Sequence, residues 1–210
     1  MGETRVGQLI LVRHGETEFN RTDRFRGRID VPLNEAGLWQ AEMAAGAIRE
    51  RYHVSAVYSS PLSRAMKTAE PIAREAGLVA RSLPGLLEFS YGDWDGKSYE
   101  EVAKEYPEKY HLYLTEPRRA EIPGGENLDD FRRRVAAAVE QAVSSHPDET
   151  IVLVAHRLVC RMMVCHLLDL EDEKLPRLEV DNASISLFEK REPEGWVALL
   201  LNDTCHLQGF

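Results

Sequence analysis

Two short apolar runs in this chain end in histidine. Leu9-Ile10-Leu11-Val12 stops at Arg13-His14-Gly15, and Ile151-Val152-Leu153-Val154-Ala155 stops at His156. Apolar runs of this length, bounded by polar or turn-forming residues, suit strands buried on both faces, as in parallel sheets covered by helices. The intervening chain supplies such helices. Asn34 is placed to cap one in which Leu38, Ala41, Ala45 and Ile48 recur at helical spacing. Residues 54–58 are β-branched and aromatic, hence strand. Ser60 then reads as a cap and Pro61 as a first-turn residue of a helix striped with Leu62, Ala65, Met66, Ala69, Ile72, Ala73 and Ala76, with Gly77 past its end. Residues 78–83 read as a third strand. Leu128, Phe131, Val135, Ala138 and Ala142 mark a long helix before the second histidine run, and residues 158–168 a buried helix after it. Residues 184–188 and 196–201 read as a closing antiparallel pair. The expected fold is α/β, a three-layer α/β/α arrangement around a mostly parallel central sheet.

Residues 84–127 break this alternation with mixed aromatics, glycines and charges. Two short helices are expected there, near 99–105 and 108–115, as an insertion covering a site. At 210 residues the chain supports one sizeable core, so residues 1–210 are read as one domain.

Ligands of open α/β sheets bind outside the carboxyl ends of the strands. If the two histidine-terminated strands are neighbours, His14 and His156 share that edge. Gly15 lets the backbone turn and an anion approach. Arg64 lies near a helix start, where anions are already favoured. Arg13, Arg64, both histidines and the amide of Asn20 together would make a compact pocket for a dianion. Arginines are poor neighbours for a metal, and neither an HxH nor an HExxH spacing occurs, so no metal is expected. The net charge of −9 argues against a nucleic-acid or anionic-membrane surface, so attraction of an anion must be local. Cys160, Cys165 and Cys205 form no CxxC pair, which fits a reducing compartment, and no run approaches a membrane span. A cytoplasmic location is expected.

Five ordered blocks then make a specific resemblance. They are Arg13-His14-Gly15-Glu16-Thr17 with Asn20; Ser59-Ser60-Pro61-Leu62-Ser63-Arg64-Ala65; Leu87-Glu88 with Tyr91-Gly92-Asp93-Trp94-Asp95-Gly96; Pro123-Gly124-Gly125-Glu126-Asn127; and Val154-Ala155-His156. The chain resembles the phosphoglycerate mutase-like branch of the histidine phosphatase superfamily from about residue 9 to 202. The resemblance implies that His14 is the nucleophile that becomes phosphorylated. Arg13, Asn20, Arg64 and His156 would hold the phosphoryl oxygens, and Glu88 would serve as acid and then base. It implies a small-molecule phosphomonoester as substrate and no cofactor. The chemistry suits these residue types: cations and amides stabilise a transferring phosphoryl group without a metal, and a leaving alkoxide needs a proton.

Only about thirty residues separate Gly92 from Glu126, which resembles the phosphatases more than the cofactor-dependent mutases with their longer insertion. The blocks Asp181-Asn182-Ala183-Ser184 and Leu201-Asn202-Asp203-Thr204-Cys205-His206-Leu207 resemble the bacterial metal-independent phosphoserine phosphatases. Phosphoserine is therefore the first candidate substrate. Those enzymes carry histidine where this chain has Tyr91, and many relatives carry a small residue where it has Arg157. Tyr91, Arg157 and His206 are read as substrate-binding, and His206, Arg157 and the pair Arg118-Arg119 are the groups available to a substrate carboxylate. The alternatives are a broad-specificity, 3-phosphoglycerate or α-ribazole phosphatase, a phosphoglycerate mutase, or a non-catalytic binder. A homodimer is left open.

Overall fold

The computed structural model describes residues 7–208; residues 1–6 and 209–210 of the expected domain lie outside them. Strand β1 (Gln8–Arg13) lies between β4 (Thr150–Ala155), parallel to it, and β5 (Ile185–Arg191), antiparallel. Beyond β4 come β2 (Val54–Ser59) and the short β3 (Arg81–Ser82), both parallel, and β6 (Gly195–Asp203) closes the other edge against β5. The order is β3-β2-β4-β1-β5-β6.

Strand periodicity sorts the core into two layers. Ile10, Val12, Val152 and Val154 pack on α1 (Glu35–Arg51) and α2 (Ser63–Glu75). Leu9, Leu11, Ile151, Leu153 and Ala155 pack on α5 (Leu128–Ser144) and α6 (Arg157–Leu167) on the opposite face. The central strands are apolar at successive positions because both faces are covered. Each such side chain contributes about 1.5–3 kcal/mol by burial. The expected α/β fold, with its mostly parallel sheet, is the one observed.

Helices α3 (Tyr99–Glu105) and α4 (Pro107–Thr115) fall where expected within 84–127. Ser98 starts α3 with a reciprocal cap to Glu101, and Pro107 occupies the first turn of α4. Asn34 caps α1, its side chain accepting from the Gly37 amide at 2.8 Å.

Three local expectations differ. Leu38 is 49% exposed, because α1 presents Gly37, Ala41, Ala44 and Ala45 inward instead. The reason is a close backbone approach. A Cβ on Gly37 would stand 2.1 Å from the Glu16 carbonyl oxygen, and one on Gly15 would stand 2.4 Å from that of Gly37. Ser60 is not the cap of α2. The helix begins at Ser63, and its first amide donates to Asp30 Oδ1 at 2.9 Å, an acceptor from a distant loop. The third strand is only two residues long, pairing Tyr58 with Arg81 and Ser59 with Ser82.

Candidate active site

The parallel pairing of β1 and β4 sets Arg13 opposite Ala155, so the next residues, His14 and His156, emerge side by side. Their rings lie 5.2 Å apart, centroid to centroid, at 61°. His14 Nδ1 is 2.7 Å from the Gly15 carbonyl oxygen. A carbonyl only accepts, so Nδ1 carries the proton and the Nε2 lone pair is left free. Burial, then the cations Arg64 and Arg13, hold the imidazole well below its usual pKa, in the neutral state. The turn around it is braced from two sides. Thr68 Oγ1 accepts from the Gly15 amide at 3.0 Å, and Asn182 Nδ2 donates to the carbonyls of His14 and Gly15 at 3.0 and 3.2 Å.

His156 is fully buried, and its Nε2 lies 2.7 Å from Ser60 Oγ. Its Nδ1 is buried without a partner among the described residues. Burial and the nearby cation Arg64 keep this imidazole neutral too. The serine expected to cap a helix thus holds the second histidine.

The surrounding arginines are anchored on backbone carbonyls rather than carboxylates. Arg13 Nη1 donates to Val180 O at 2.7 Å, and Arg64 donates to Ile29 O and Gly27 O at 2.7 and 3.1 Å. Arg26 donates to Phe19 O and Thr22 O at 2.6 and 3.2 Å. A carbonyl orients a guanidinium without cancelling its charge, so the cluster is primed for an anion. Arg13 is pushed down to about 10, chiefly by burial and then by Arg157, and stays charged at neutral pH.

Glu88 reaches the same cavity from the loop before α3. Its Oε1 accepts from the Phe89 amide at 2.9 Å, and its Oε2 lies 3.5 Å from the Leu158 amide in the first turn of α6. Burial raises its pKa and outweighs the backbone hydrogen bonds and the pull of Arg64 and Arg13. The loop carrying it is tied down by Arg134, which donates to the carbonyls of Gly85 and Leu87, both at 2.8 Å. The same guanidinium grips Glu126 as a fork at 2.9 and 2.7 Å. Arg28 adds a bond to Glu88 O at 3.1 Å.

Arg13, His14, Arg26, Arg64 and Glu88 line one cavity of about 320 Å³, whereas His156, expected in the site, is fully buried against His14 and does not reach the lining. Arg13, His14, Arg64, Glu88, Tyr91 and Arg157, all expected in the site, share it. The cover segment supplies an aromatic wall of Tyr91, Tyr99, Tyr110 and Tyr113, with Phe25 against it. Tyr91 and Tyr113 hydroxyls are 3.3 Å apart, and burial raises both pKa values. Arg24, Arg26 and Arg161 also line the cavity and were missed in the sequence. The first two sat in an arginine-rich stretch indistinguishable from a solvated loop. Arg161 was masked by the apolar helix around it.

Other expected residues stand elsewhere. Asn20 does not line the cavity; its side-chain oxygen accepts from the Thr17 amide and hydroxyl at 2.9 and 2.7 Å, closing the turn after His14. His206 does not line it either. Its Nε2 donates to Ala183 O at 3.1 Å, pinning the last turn beneath the His14 loop. Arg118 pairs with buried Asp172 at 2.8 Å and Arg119 with Glu116 at 2.6 Å, both outside the cavity. Among the described residues no group of three or more His, Cys, Asp or Glu converges as a metal site, and no helix is long and apolar enough to cross a membrane.

The sequence profile of the histidine phosphatase superfamily (branch 1) matches residues 9–204. Phosphoserine phosphatase 1 of Hydrogenobacter thermophilus is 38% identical over 203 residues, covering 97% of this chain and 95% of that protein. The metal-independent phosphoserine phosphatase of Arabidopsis thaliana is 33% identical over 207 residues, covering 98% and 85%. Among solved structures, a mutant phosphoserine phosphatase of Entamoeba histolytica in complex with phosphoserine superposes with a TM-score of 0.84 at 28% identity, covering 96% of this chain and 99% of the other.

Proposed function

Since the chain belongs to branch 1 of the histidine phosphatase superfamily, we propose that it hydrolyses a small phosphorylated acid, L-phosphoserine first, through a phosphohistidine on His14. The observation that carries this reading is the neutral His14 imidazole, its Nδ1 committed to Gly15 and its Nε2 free, among arginines anchored by carbonyls. Nε2 attacks phosphorus in line with the ester oxygen. Arg13, Arg26 and Arg64 take up the charge on the equatorial oxygens. Ser60 donates to His156 Nε2, which leaves the partnerless Nδ1–H to donate to a phosphoryl oxygen. Glu88, whose protonated form burial favours, gives its proton to the leaving alkoxide. The resulting carboxylate then takes a proton from the water that attacks phosphohistidine, releasing phosphate and restoring His14.

Segment 84–127 acts as the cover of a single domain and walls the leaving-group side with tyrosines. Arg118 and Arg119 lie outside the cavity and are not placed to retain a phosphorylated acid for phosphoryl return, which supports hydrolysis. A reducing cytoplasm suits the three free thiols.

The test measures phosphate release from phosphoserine, phosphothreonine, 3-phosphoglycerate and p-nitrophenyl phosphate, with a coupled assay for 2-phosphoglycerate. The highest kcat/KM is expected for phosphoserine. Formation of 2-phosphoglycerate faster than phosphate release would make the enzyme a mutase, and a flat profile would leave a broad-specificity phosphatase.

A further inference from the structure

The cavity holds more positive charge than one phosphoryl group can use. Its lining includes Arg13, Arg24, Arg26, Arg64, Arg157 and Arg161, against a single carboxylate, Glu88. Arg13, Arg26 and Arg64 serve the phosphoryl oxygens in the reading above. Arg24 is bound to Gly96 O at 2.8 Å and faces Glu101 at 3.6 Å. That leaves Arg157 and Arg161, one turn apart at the start of α6, on the same helix face and towards the leaving-group side.

Both turn to one carboxylate. Arg157 Nη2 lies 2.9 Å from Glu179 Oε1, and Arg161 Nη2 lies 3.5 Å from Glu179 Oε2. The partners differ in exposure: the Arg161 side chain is 14% exposed, whereas Glu179 is 59% exposed. Arg161 Nε is buried without a partner among the described residues. Burial first, and then the positive charge of Arg157, lowers the pKa of Arg13, Arg26 and Arg161, so the cluster is short of negative charge. Glu179 does not line the cavity. It satisfies the two arginines from the solvent side, and its departure into water costs little, because its nearer partner is the half-exposed Arg157 and exposed pairs are weak, while its contact with the more buried Arg161 is long at 3.5 Å.

We propose that Arg157 and Arg161 form a second anion subsite that takes the substrate's carboxylate, and that Glu179 fills this subsite in the free enzyme as an internal competitor. On binding, the substrate carboxylate replaces Glu179 on the two guanidinium groups and Glu179 returns to solvent. The subsite thereby selects phosphomonoesters carrying a carboxylate over those without one. The inference rests on the phosphatase reading above and adds to it which residues choose the leaving group.

The experiment compares kcat/KM for phosphoserine with that for phosphoethanolamine, which has the same ester and ammonium but no carboxylate. The full-length protein should favour phosphoserine by roughly a hundredfold or more, the scale of a lost charged hydrogen-bonding contact. Arg161→Gln should lower that ratio at least about tenfold, with Arg161→Lys recovering part of it, since lysine keeps the charge and loses the planar fork. Glu179→Gln should raise the ratio several-fold, roughly the advantage expected from removing one competing exposed pair. A folding defect scales both substrates together and cannot produce these opposite shifts. A wild-type ratio near one, or a ratio that neither variant moves beyond about twofold, overturns the subsite while leaving the phosphatase reading intact. Absence of phosphate release from phosphoserine, phosphoethanolamine and p-nitrophenyl phosphate alike overturns both.

Discussion

Replacing Arg134 with methionine tests whether the loop that carries Glu88 is held for catalysis or only for stability. The guanidinium makes two bonds to Glu126, at 2.9 and 2.7 Å, and bonds to the carbonyls of Gly85 and Leu87 at 2.8 Å each. Arg134 and Glu126 side chains are 21% and 12% exposed, so the pair is mostly withdrawn from water. Breaking a buried pair from one side costs about 3–5 kcal/mol. Two features reduce this. Arg28 remains 3.3 Å from Glu126 and 3.1 Å from Glu88 O, and methionine keeps an apolar stem against Phe131, over which the guanidinium now sits at 5.1 Å. A net loss of about 2–3 kcal/mol follows, or about 5–10 °C in Tm for a chain of this size. The functional effect goes through Glu88. With its backbone tethers cut, the carboxyl loses its aim at the leaving oxygen, and alkyl phosphate turnover should fall about ten- to a hundredfold. Hydrolysis of p-nitrophenyl phosphate should fall much less, because its phenolate leaves without a proton. Thermal unfolding and kcat on both substrates are the assays, and Arg134→Lys should be intermediate. Equal losses on the two substrates would refute positioning of the acid, and a Tm change below about 1 °C would refute the energetic estimate.

Three further outcomes follow from the same geometry. Glu88→Gln should cost about 10²–10⁴-fold on an alkyl phosphate and far less on p-nitrophenyl phosphate; because burial raises Glu88 above its ordinary value, the wild-type alkaline limb of kcat/KM should lie above pH 4.5, and the glutamine variant should lack it. Stability should fall on acidification below pH 6.5: His14 and His156 are buried neutral with lowered pKa, so the unfolded chain takes up their protons first. Each histidine contributes up to about 1.4 kcal/mol per pH unit, and Glu88, raised in the fold, opposes this by at most one proton; urea unfolding at two pH values checks it, and no change on acidification would contradict neutral burial. Activity should survive dialysis against EDTA, and loss restored by Mg²⁺, Mn²⁺ or Zn²⁺ would contradict a site built from arginine and histidine.

Where local pattern and burial coincide, the sequence is easily read. β1 and β4 are apolar at successive positions because both faces are covered, so their ends, with Arg13, His14 and His156, are legible without a structure. Asn34 and Gly77 occupy helix ends as their chemistry requires. What was illegible depends on distant partners. Asp30 caps α2 across 33 residues and frees Ser60 for His156. Leu38 gives way to Gly37 because two glycine-containing backbones meet, a contact that no periodicity encodes. Asn20 and His206 belong to recognisable blocks, but each is used by the backbone beside His14 rather than by the cavity. Arg26 and Arg161 look like ordinary surface charges until the fold turns them inward, and Arg134 lies on a helix far along the chain from the loop it holds.

A covalent phosphohistidine at His14 is read out by rapid acid-free quenching of the enzyme during turnover of labelled phosphoserine. The label should be acid-labile and base-stable and should map to the peptide containing His14. His14→Ala should take up none and retain less than about a hundredth of the wild-type rate. Stoichiometric turnover with no label on the protein, or label on a residue other than His14, would contradict the account.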